Sequence, residues 1–340
     1  MKIAIHNKTA KGFFTERWIN YCKKNSIPYK LINAYDSNIV EQVKDCTAFM
    51  WHHSNYDYRD ALFAKQLLFS LEQIGIKVFP NFNTTWHFDD KVGQKYLFEA
   101  IGAPFVSSYV FYTKKEALEW VNNTVFPKVF KLRGGSGSSN VKLVKTKYQA
   151  KKLVNRAFAK GFSQFDKWTH LKFRYENFCT GKENFVAVLK GIARLFIATN
   201  YSNNFQKEKG YVYFQDFIPN NSFDIRVVII GNKAFAFKRM VRKNDFRASG
   251  AGNNIYDKNE IDERCVKIAF ELNEKIKSQI IFCDFVFDKD NNPLIVEISY
   301  GSNAELYDKC EGYWDKDLNW HKENNFDFCG WMVENLIKNT

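Results

Sequence analysis

The stretch QIIFCDFVFDKDNNPLIVEISY, residues 279–300, contains two apolar runs separated by the polar turn sequence KDNN. Two runs of strand-forming residues around such a turn predict an antiparallel β-hairpin. Asp284 and Glu297 each interrupt one of these apolar runs. If Asp288 and Pro293 flank the turn, Asp284 and Glu297 should face each other directly across the two strands.

An opposed pair of carboxylates needs a compensating charge. Like charges facing each other destabilise a sheet, and a buried carboxylate is costly unless it is paired. Mg²⁺ commonly binds one or two protein carboxylates together with substrate phosphates. We therefore predict a magnesium site at Asp284 and Glu297, and we expect neutralisation of either one to relieve repulsion and leave the fold intact. The alternative is that one of them pairs with a nearby lysine or arginine.

A second signal lies in KVFKLRGGSGSSNVKLV, residues 128–144. The chain has only 17 glycines in 340 residues, yet three fall within four positions here. The core of the stretch is Gly134, Gly135, Ser136 and Gly137. Glycines let backbone amides crowd an anion, a hydroxyl adds a donor, and Lys131 adds a point charge. The stretch does not match GxxxxGK[ST] and alone is typical of a flexible turn, but beside a magnesium site it is a candidate flap over a triphosphate.

A third signal is the hairpin sequence SFDIRVVII-GN-KAFAFKRMV, residues 222–241. Asp224 and Arg226 share one face of its first strand, because strand side chains alternate with period two. With a two-residue turn, Arg239 lies beside either Asp224 or Arg226, and the pattern does not decide which. Arg247 follows shortly after. Cations that converge at a phosphate site stabilise charge on a transferring phosphoryl group.

The composition indicates a folded, basic protein of two or three domains. The hydrophobic fraction is 45% and the net charge is +13. Residues 128–174 contain thirteen lysines and arginines and a single acid, a net charge of +12. Such a field attracts nucleotide phosphates, a polyanion or an acidic membrane surface; the alternative for residues 151–160 is a solvated helix face. Aromatic residues do not interleave with the basic run as stacking platforms do, so we expect no nucleic-acid partner.

Cysteine usage and hydropathy narrow the class further. The seven cysteines include no CxxC pair, which favours reduced thiols over disulfides or zinc and leads us to expect a cytoplasmic protein. No run of 18 apolar residues occurs, so we expect no transmembrane helix. Strand and helix patterns alternate over roughly the first 80 residues, which predicts a small parallel-sheet α/β domain. The segment 51–53, WHH, follows a strand end, where ligands often bind; the alternative is a polar loop.

Taken in their order along the chain, these segments resemble the ATP-grasp superfamily, specifically its ligases that join a carboxylate to an amine. The similarity runs from about residue 81 to residue 303. The resemblance implies that ATP and Mg²⁺ are cofactors and that the following residues bind the nucleotide: Lys91, Lys131, Gly134, Gly135, Ser136, Gly137, Gln215, Asp216, Phe217, Asp224 and Lys238. It implies cations at the transferred phosphoryl group, for which the candidates are Arg226, Arg239 and Arg247.

The same resemblance implies that Asp284 and Glu297 are the metal ligands. The family usually has an asparagine two residues after the glutamate as a third metal contact. Here that position is Ser299. Its hydroxyl lies on the same strand face and is a candidate third ligand, as is Asn303.

The resemblance implies an ATP-grasp fold of the α/β (α+β) class with three segments. They are an N-terminal α/β domain at 1–88, a basic central lid at 89–212, and a C-terminal subdomain with the metal site at 213–340. The tail sequence at 297–323 resembles that of ATP-grasp proteins associated with surface-polysaccharide biosynthesis. The alternative for Trp314, Trp320 and His321 is a packing tail that covers the hairpin.

These expectations combine into a reaction. A substrate carboxylate attacks the γ-phosphate of ATP, an acyl phosphate forms with release of ADP, and an amine displaces phosphate to give an amide. The tail resemblance suggests a small-molecule or glycan carboxylate, such as the uronic acid of a surface glycan or its precursor, joined to an amino acid. The alternatives are a ligase for free amino acids or peptides, an ATP-grasp phosphotransferase, or a non-enzymatic polyanion-binding protein. Peripheral contact with a membrane also stays open.

Overall fold

A computed structural model of the chain describes residues 2–8, 12–134, 140–164, 171, 174–175, 178–179, 181, 184–196, 206–241, 246–248 and 253–338. The chain divides into two compact units. The first unit comprises Met1–Phe88, Gly93–Phe105 and Ile218–Thr340, and the second comprises Asp89–Val92 and Val106–Phe217. Three residues of the predicted flap, Gly135, Ser136 and Gly137, lie outside the described residues.

The first unit begins with the α/β segment that the alternating patterns predict. A parallel sheet has the strand order β2-β1-β3-β4. Helix α3 buries Ala64, Leu68 and Leu71 at helical spacing, and these side chains share a core with Phe49 of the sheet. The elements are β1 (Ile3–His6), α1 (Thr15–Lys24), β2 (Tyr29–Ile32), α2 (Ile39–Gln42), β3 (Ala48–Met50), α3 (Tyr58–Gln73), β4 (Lys77–Phe79), α4 (Phe82–Thr85) and α5 (Lys91–Ile101).

The second unit contains an antiparallel sheet of order β5-β8-β6-β7. Phe130 and Phe214 on one face of this sheet pack with Val121 of α6 and Val154 of α7. The elements are β5 (Ser108–Phe111), α6 (Lys114–Asn123), β6 (Lys128–Lys131), β7 (Val141–Val144), α7 (Lys147–Ala157), α8 (Phe185–Phe196) and β8 (Val212–Asp216). No helix in the described part of the chain has both the length and the hydrophobicity that a membrane span requires.

The C-terminal part of the first unit is built on an antiparallel sheet of order β13-β12-β9-β10-β14-β15, with β11 beside β10. The elements are β9 (Phe223–Ile230), β10 (Lys233–Met240), β11 (Asn254–Ile255), α9 (Glu263–Ile276), β12 (Ile280–Phe287), β13 (Pro293–Ser299), β14 (Gly312–Asp315), β15 (Trp320–Lys322) and α10 (Phe328–Lys338). Side chains on one face of this sheet, such as Ile225 and Cys283, pack with Phe270 of α9.

Side chains on the other face of this sheet build a core that ties the two parts of the first unit together. Phe235 and Phe282 of the antiparallel sheet lie in one cluster with Phe14 and Trp18 of the N-terminal segment and with Phe328 of α10. Packing therefore groups residues 1–88 and 218–340 into one unit. The sequence-based division at residues 88 and 212 stays a prediction about modules of the chain.

Candidate nucleotide and metal sites

The predicted carboxylate pair is present on the hairpin of β12 and β13. Asp284 faces Glu297 across the two strands, and Phe282 faces Ser299 two residues along. Glu297 and Ser299 therefore project from the same side of the sheet as Asp284, as the sequence predicts. The Ser299 hydroxyl donates to the Gly301 carbonyl at 3.0 Å.

The register reaches this pairing through a β-bulge that the sequence pattern did not suggest. Nearer the turn, Phe287 pairs with Pro293, one residue out of phase with the predicted turn. The register then shifts between the carboxylate pair and the next pair, Phe285 with Ile295. Val296 is the extra residue of the bulge, and beyond it Asp284 pairs with Glu297 as the sequence predicts. The predicted pairing is thus confirmed, although its assumed turn was wrong by one residue.

Asp284 is held by two arginines from the neighbouring strands. Arg226 lies directly beside it on β9 and donates from Nε and Nη2 to its two oxygens at 2.6 and 2.7 Å. Arg239 of β10 places Nη2 2.8 Å from Asp284 Oδ2. The same Arg239 donates from Nε and Nη2 to both oxygens of Asp224 at 2.6 and 2.7 Å. For Asp284, the alternative of an arginine partner is therefore confirmed.

These four side chains form a row of alternating charge, Asp224–Arg239–Asp284–Arg226, which we call the charged row. Their side chains are 14%, 7%, 8% and 13% exposed, so the row is largely removed from water. Buried ions are tolerated only when partners and hydrogen bonds compensate the loss of hydration. The row meets that condition because its two acids and two bases balance.

The row sets the protonation of its carboxyl groups. Burial alone would raise the pKa of Asp284, but the guanidinium groups of Arg226 and Arg239 outweigh burial and hold that pKa well below its usual range. Burial raises the pKa of Asp224, which Arg239 only partly offsets. Asp284 is therefore the carboxylate of the row that stays ionised most firmly.

The donor set around Asp284 fits Mg²⁺. A carboxylate offers about four lone-pair positions, and the N–H groups of Arg226 and Arg239 occupy three of those of Asp284, which leaves one for a metal. Glu297 and the Ser299 hydroxyl supply oxygens on the same side of the sheet. The described residues contain no group of three or more His, Cys, Asp or Glu side chains suited to a metal. Mg²⁺ usually completes its coordination with waters and substrate phosphates.

Lys238, another predicted residue of the first unit, lies apart from the row. Lys238 pairs with Ile225 in the register and therefore lies on the opposite face from Arg239. Its ammonium contacts Glu260 at 2.7 Å and lies 4.1 Å from the ring centroid of Phe223. The structure thus does not bring Lys238 to the charged row. The guanidinium of Arg247 lies 5.8 Å from the ring centroid of Phe246.

The second unit gathers a separate set of predicted residues on one face of its sheet. Lys131 pairs with Tyr213, and Gln215 pairs with Ser108, so all four share a face. Tyr213 and Gln215 both donate to the Ser108 hydroxyl, at 2.8 and 3.2 Å. Each of the four side chains is buried. We call this set the polar face.

The second predicted phosphate lysine reaches the same end of the sheet. The Lys91 N–H donates to the Arg133 carbonyl at 3.0 Å, two residues beyond Lys131. Lys91 is 6% exposed and Lys131 is 5% exposed. Lysines are rarely buried to this degree, so two of them at one sheet end mark a candidate anion site. Gly134 follows closely, and a Cβ there would lie 3.3 Å from Asp89 Oδ2.

Gln215 and Asp216, two predicted nucleotide-binding residues of β8, project from opposite faces of this sheet. Gln215 belongs to the polar face, whereas the side chain of Asp216 projects to the other face and accepts from Lys128 Nζ at 2.6 Å. The Asp216 N–H donates to the Ser107 carbonyl at 2.9 Å. A contact from Asp216 to a base would therefore have to come from its carbonyl. Phe217 follows at the end of the second unit and is half-buried.

Comparison with known proteins shows which proteins the chain is similar to. Residues 190–314 match the RimK-like ATP-grasp domain. The chain is 22% identical over 232 residues to the alpha-aminoadipate–LysW ligase LysX of Saccharolobus solfataricus, covering 68% of each chain. A RimK domain ATP-grasp protein from Sphaerobacter thermophilus superposes with a TM-score of 0.58 at 13% identity, over 99% of this chain and 100% of that one.

D-alanine–D-alanine ligase from Bacillus anthracis, solved with ATP, superposes with a TM-score of 0.56 at 13% identity, over 100% of this chain and 99% of that one. The chain has the ATP-grasp fold. The comparisons confirm the predicted ATP-grasp fold class. The predicted ADP-forming carbon–nitrogen ligase and the predicted cofactors, ATP and Mg²⁺, agree with the names of the similar proteins: LysX is named a ligase, and a similar biotin carboxylase domain was solved with MgADP. They do not show the surface-polysaccharide subset.

The two histidines that the sequence singled out are buried. His52 Nδ1 accepts the Phe14 N–H at 3.0 Å, so the proton of the neutral ring resides on Nε2. Burial lowers the pKa of His52 to about 3, which keeps it neutral. His53 Nε2 forms a hydrogen bond with the Thr85 hydroxyl at 2.6 Å. A structural role thus accounts for both rings, and a substrate role stays a prediction.

Sequence reasoning missed Ser302, which contacts the row. Arg226 Nη1 donates to the Ser302 hydroxyl at 3.4 Å, from the loop that follows β13. Asn303, the other candidate third ligand, instead caps the next helical turn by accepting the Glu305 N–H at 2.9 Å. The only sequence signal for Ser302 is its place in YGSN, directly after the strand that contains Glu297.

The tail packs as the alternative interpretation predicts. β14 and β15 extend the sheet beyond β10. Trp314 is 1% exposed, and its Nε1–H donates to Glu263 at 3.2 Å. Trp320 packs edge-on against Trp314, and His321 contacts Asp315 at 2.7 Å. These aromatic residues therefore have a structural role that needs no glycan.

Proposed function

We propose that this ATP-grasp chain is an ATP-dependent ligase that joins a substrate carboxylate to an amine. The carboxylate oxygen bonds to the γ-phosphorus of ATP and ADP leaves. The amine nitrogen then bonds to the acyl carbon, phosphate leaves, and the amine gives up a proton. The observation that carries the proposal is the charged row beside Glu297, where acidic oxygens and guanidinium groups meet on one sheet face.

The residues divide into three roles. Lys91 and Lys131 neutralise nucleotide phosphates in the second unit. Glu297 and the remaining position on Asp284 hold Mg²⁺, which neutralises phosphate oxygens when bound. Arg226 donates toward the transferred phosphoryl group, because its Nη1 is directed away from Asp284 toward Ser302. Positioning and charge stabilisation then supply most of the rate enhancement, without a nucleophilic side chain.

Arg239 differs from Arg226 in this proposal. Its described contacts are with the two carboxylates of the row, Asp224 and Asp284. It is therefore a positioning residue that fixes Asp284 for the metal. Of the three predicted catalytic cations, Arg226 is therefore the first candidate and Arg247 the second.

For the substrate, we propose an amino-acid or peptide carboxylate as the first candidate. The similar LysX is named for a ligase of alpha-aminoadipate and LysW, and a structural neighbour is named for joining two D-alanines. A uronic acid of a surface glycan or its precursor is the second candidate. The basic residues of 128–174 favour it, because their net charge of +12 exceeds what bound ATP requires.

The test measures ADP release from Mg-ATP over a grid of carboxylates and amines, with products identified by mass. The carboxylates are free amino acids, short peptides and uronate-containing sugars. ADP release that depends on both substrates, with an amide product, supports the proposal. ADP release with a phosphorylated acceptor and no amide would assign a phosphotransferase instead. Glu297→Gln serves as the inactive control for contaminating ATPase.

A further inference from the structure

Helix α8 of the second unit exposes an apolar face. Phe185, Val186, Leu189 and Ile192 are 56%, 51%, 49% and 42% exposed. At 100° per residue they fall within a sector of about 120°. Gly191 on the opposite side of the helix is buried, and so is Val188, about 40° beyond Ile192. The helix therefore packs by its far side and leaves its most apolar side in water.

The neighbouring segment enlarges this face and fixes its orientation. Phe178 is 38% exposed, and its ring lies 5.7 Å from that of Phe185. Gly191 lets Leu171 approach closely, since a Cβ at Gly191 would lie 2.9 Å from Leu171 Cδ1. Arg174 Nη1 donates to the Ala187 carbonyl at 3.4 Å. We call the five exposed side chains Phe178, Phe185, Val186, Leu189 and Ile192 the α8 patch.

The sequence around the α8 patch has a net positive charge. Residues 174–196 contain four bases, Arg174, Lys182, Lys190 and Arg194, and two acids, Glu176 and Glu183. On the helical projection Lys190 lies about 40° beyond Val186 and Arg194 about 80° beyond it, on one side of the patch. The same unit contains residues 128–174 with their net charge of +12. A partner that covers the patch must therefore be apolar and also tolerate or prefer a concentrated positive charge.

This combination selects among the candidate partners. A second copy of the chain would bring an apolar face but also the same positive charge. A nucleic acid would bring negative charge without an apolar surface. An anionic lipid surface brings both, and an apolar helix face with lysine or arginine at its border is typical of helices that lie in the membrane interface. A patch of several large exposed apolar residues is unusual on a monomeric protein.

We propose that the α8 patch binds the surface of anionic lipid bilayers, with α8 lying in the interface. The helix has 12 residues, too few to cross a bilayer at 1.5 Å per residue. Its apolar side chains enter the boundary between headgroups and acyl chains, while Lys190 and Arg194 remain among the lipid phosphates. This proposal does not depend on the identity of the substrates.

The test is co-sedimentation of the full chain with vesicles, one set of phosphatidylcholine alone and one of phosphatidylcholine with phosphatidylglycerol. Wild type should sediment with the anionic set and remain in solution with the neutral set. The double variant Leu189→Glu/Ile192→Glu should lose at least about tenfold in partitioning. Lys190→Glu should reduce partitioning into the anionic set by a smaller factor. Leu62→Glu, at an exposed apolar residue of α3 in the first unit, should bind like wild type.

Several outcomes would overturn the proposal. One is a wild type that ignores both vesicle sets, and another is a double variant that binds as well as wild type. A third is a wild-type dimer, detected by light scattering, that the double variant converts to a monomer, since a second copy would then cover the patch. Unchanged circular dichroism and unchanged ADP release without vesicles in all variants would show that a loss of binding is not a loss of folding.

Discussion

Each of the two antiparallel sheets contains a pair of charged residues that face each other across neighbouring strands. One pair consists of opposite charges and the other of like charges. In the second unit, Lys128 and Asp216 are opposite charges 2.6 Å apart. In the first unit, Asp284 and Glu297 are like charges. Lys128 and Asp216 neutralise each other, whereas the pair of Asp284 and Glu297 depends on two arginines from adjacent strands. A pair that needs outside charge is poorly explained by stability alone, and this is why we assign function to it.

The comparison also separates the two carboxylates of the like-charged pair. The charged row balances its own four charges, with Asp284 inside it. Glu297 comes in addition to that balance, at the edge strand of the sheet. Asp284 is therefore expected to serve both stability and metal binding, and Glu297 to serve mainly metal binding. Substitutions at these positions test that difference.

The largest effect is expected for Asp284→Asn. This change leaves two buried arginines without their shared counter-ion, and breaking a buried ion pair costs about 3–5 kcal/mol. The free energy of unfolding should fall accordingly in urea titrations, and ADP release should fall by about 10³-fold or more. The structure thus reverses the expectation from sequence that neutralising Asp284 would relieve repulsion.

A second substitution gives the control for Asp284→Asn. Adding Arg226→Gln removes the excess positive charge, so the double variant should regain part of the lost stability but no activity. If Asp284→Asn alone unfolds at the wild-type urea concentration, the charged row does not stabilise the sheet.

Glu297→Gln should separate activity from stability. The glutamate is partly exposed, so its neutralisation should change the free energy of unfolding by less than about 1 kcal/mol. ADP release should still fall by about 10²- to 10³-fold, because a metal carboxylate is lost. The measurement is the same pair of assays, and an Mg²⁺ titration should shift to higher concentration. Wild-type turnover in this variant would exclude Glu297 from the metal site.

Lys131→Ala should weaken ATP binding by about 10- to 100-fold, since a charge-assisted contact to phosphate is worth about 1.5–3 kcal/mol. Isothermal titration calorimetry with ATP measures the change. Lys128→Ala is the matched control, because Lys128 lies on the same strand with its ammonium bound to Asp216 on the opposite face. Equal losses of affinity in both variants would remove the distinction between the two faces.

The smallest effect is expected for Asp216→Asn. Its side chain is 31% exposed, and a partly exposed ion pair contributes about 1 kcal/mol or less. ATP affinity should stay unchanged, because the side chain projects away from the polar face. A large loss of ATP affinity in calorimetry would place this carboxylate at the nucleotide after all.

Local pairings could be predicted from sequence because short turns determine them. The two-residue turn starts at Gly231, whose positive φ of 59° suits glycine. It limited the partner of Arg239 to Asp224 or Arg226, and the structure pairs Arg239 with Asp224. Contacts between strands that are distant in sequence were not predictable. β9 lies between β10 and β12, and this order alone brings Arg226 to Asp284. The same limit applies to the tail, where Trp314 packs on a sheet whose edge the sequence does not reveal.

The bulge at Val296 has a consequence for how this hairpin can vary among relatives. Shifting a strand by one residue turns every side chain to the other face, and in this hairpin the bulge brings Glu297 into register with Asp284. A relative with the same spacing between the two acids and one residue more in the turn would keep the pair without a bulge.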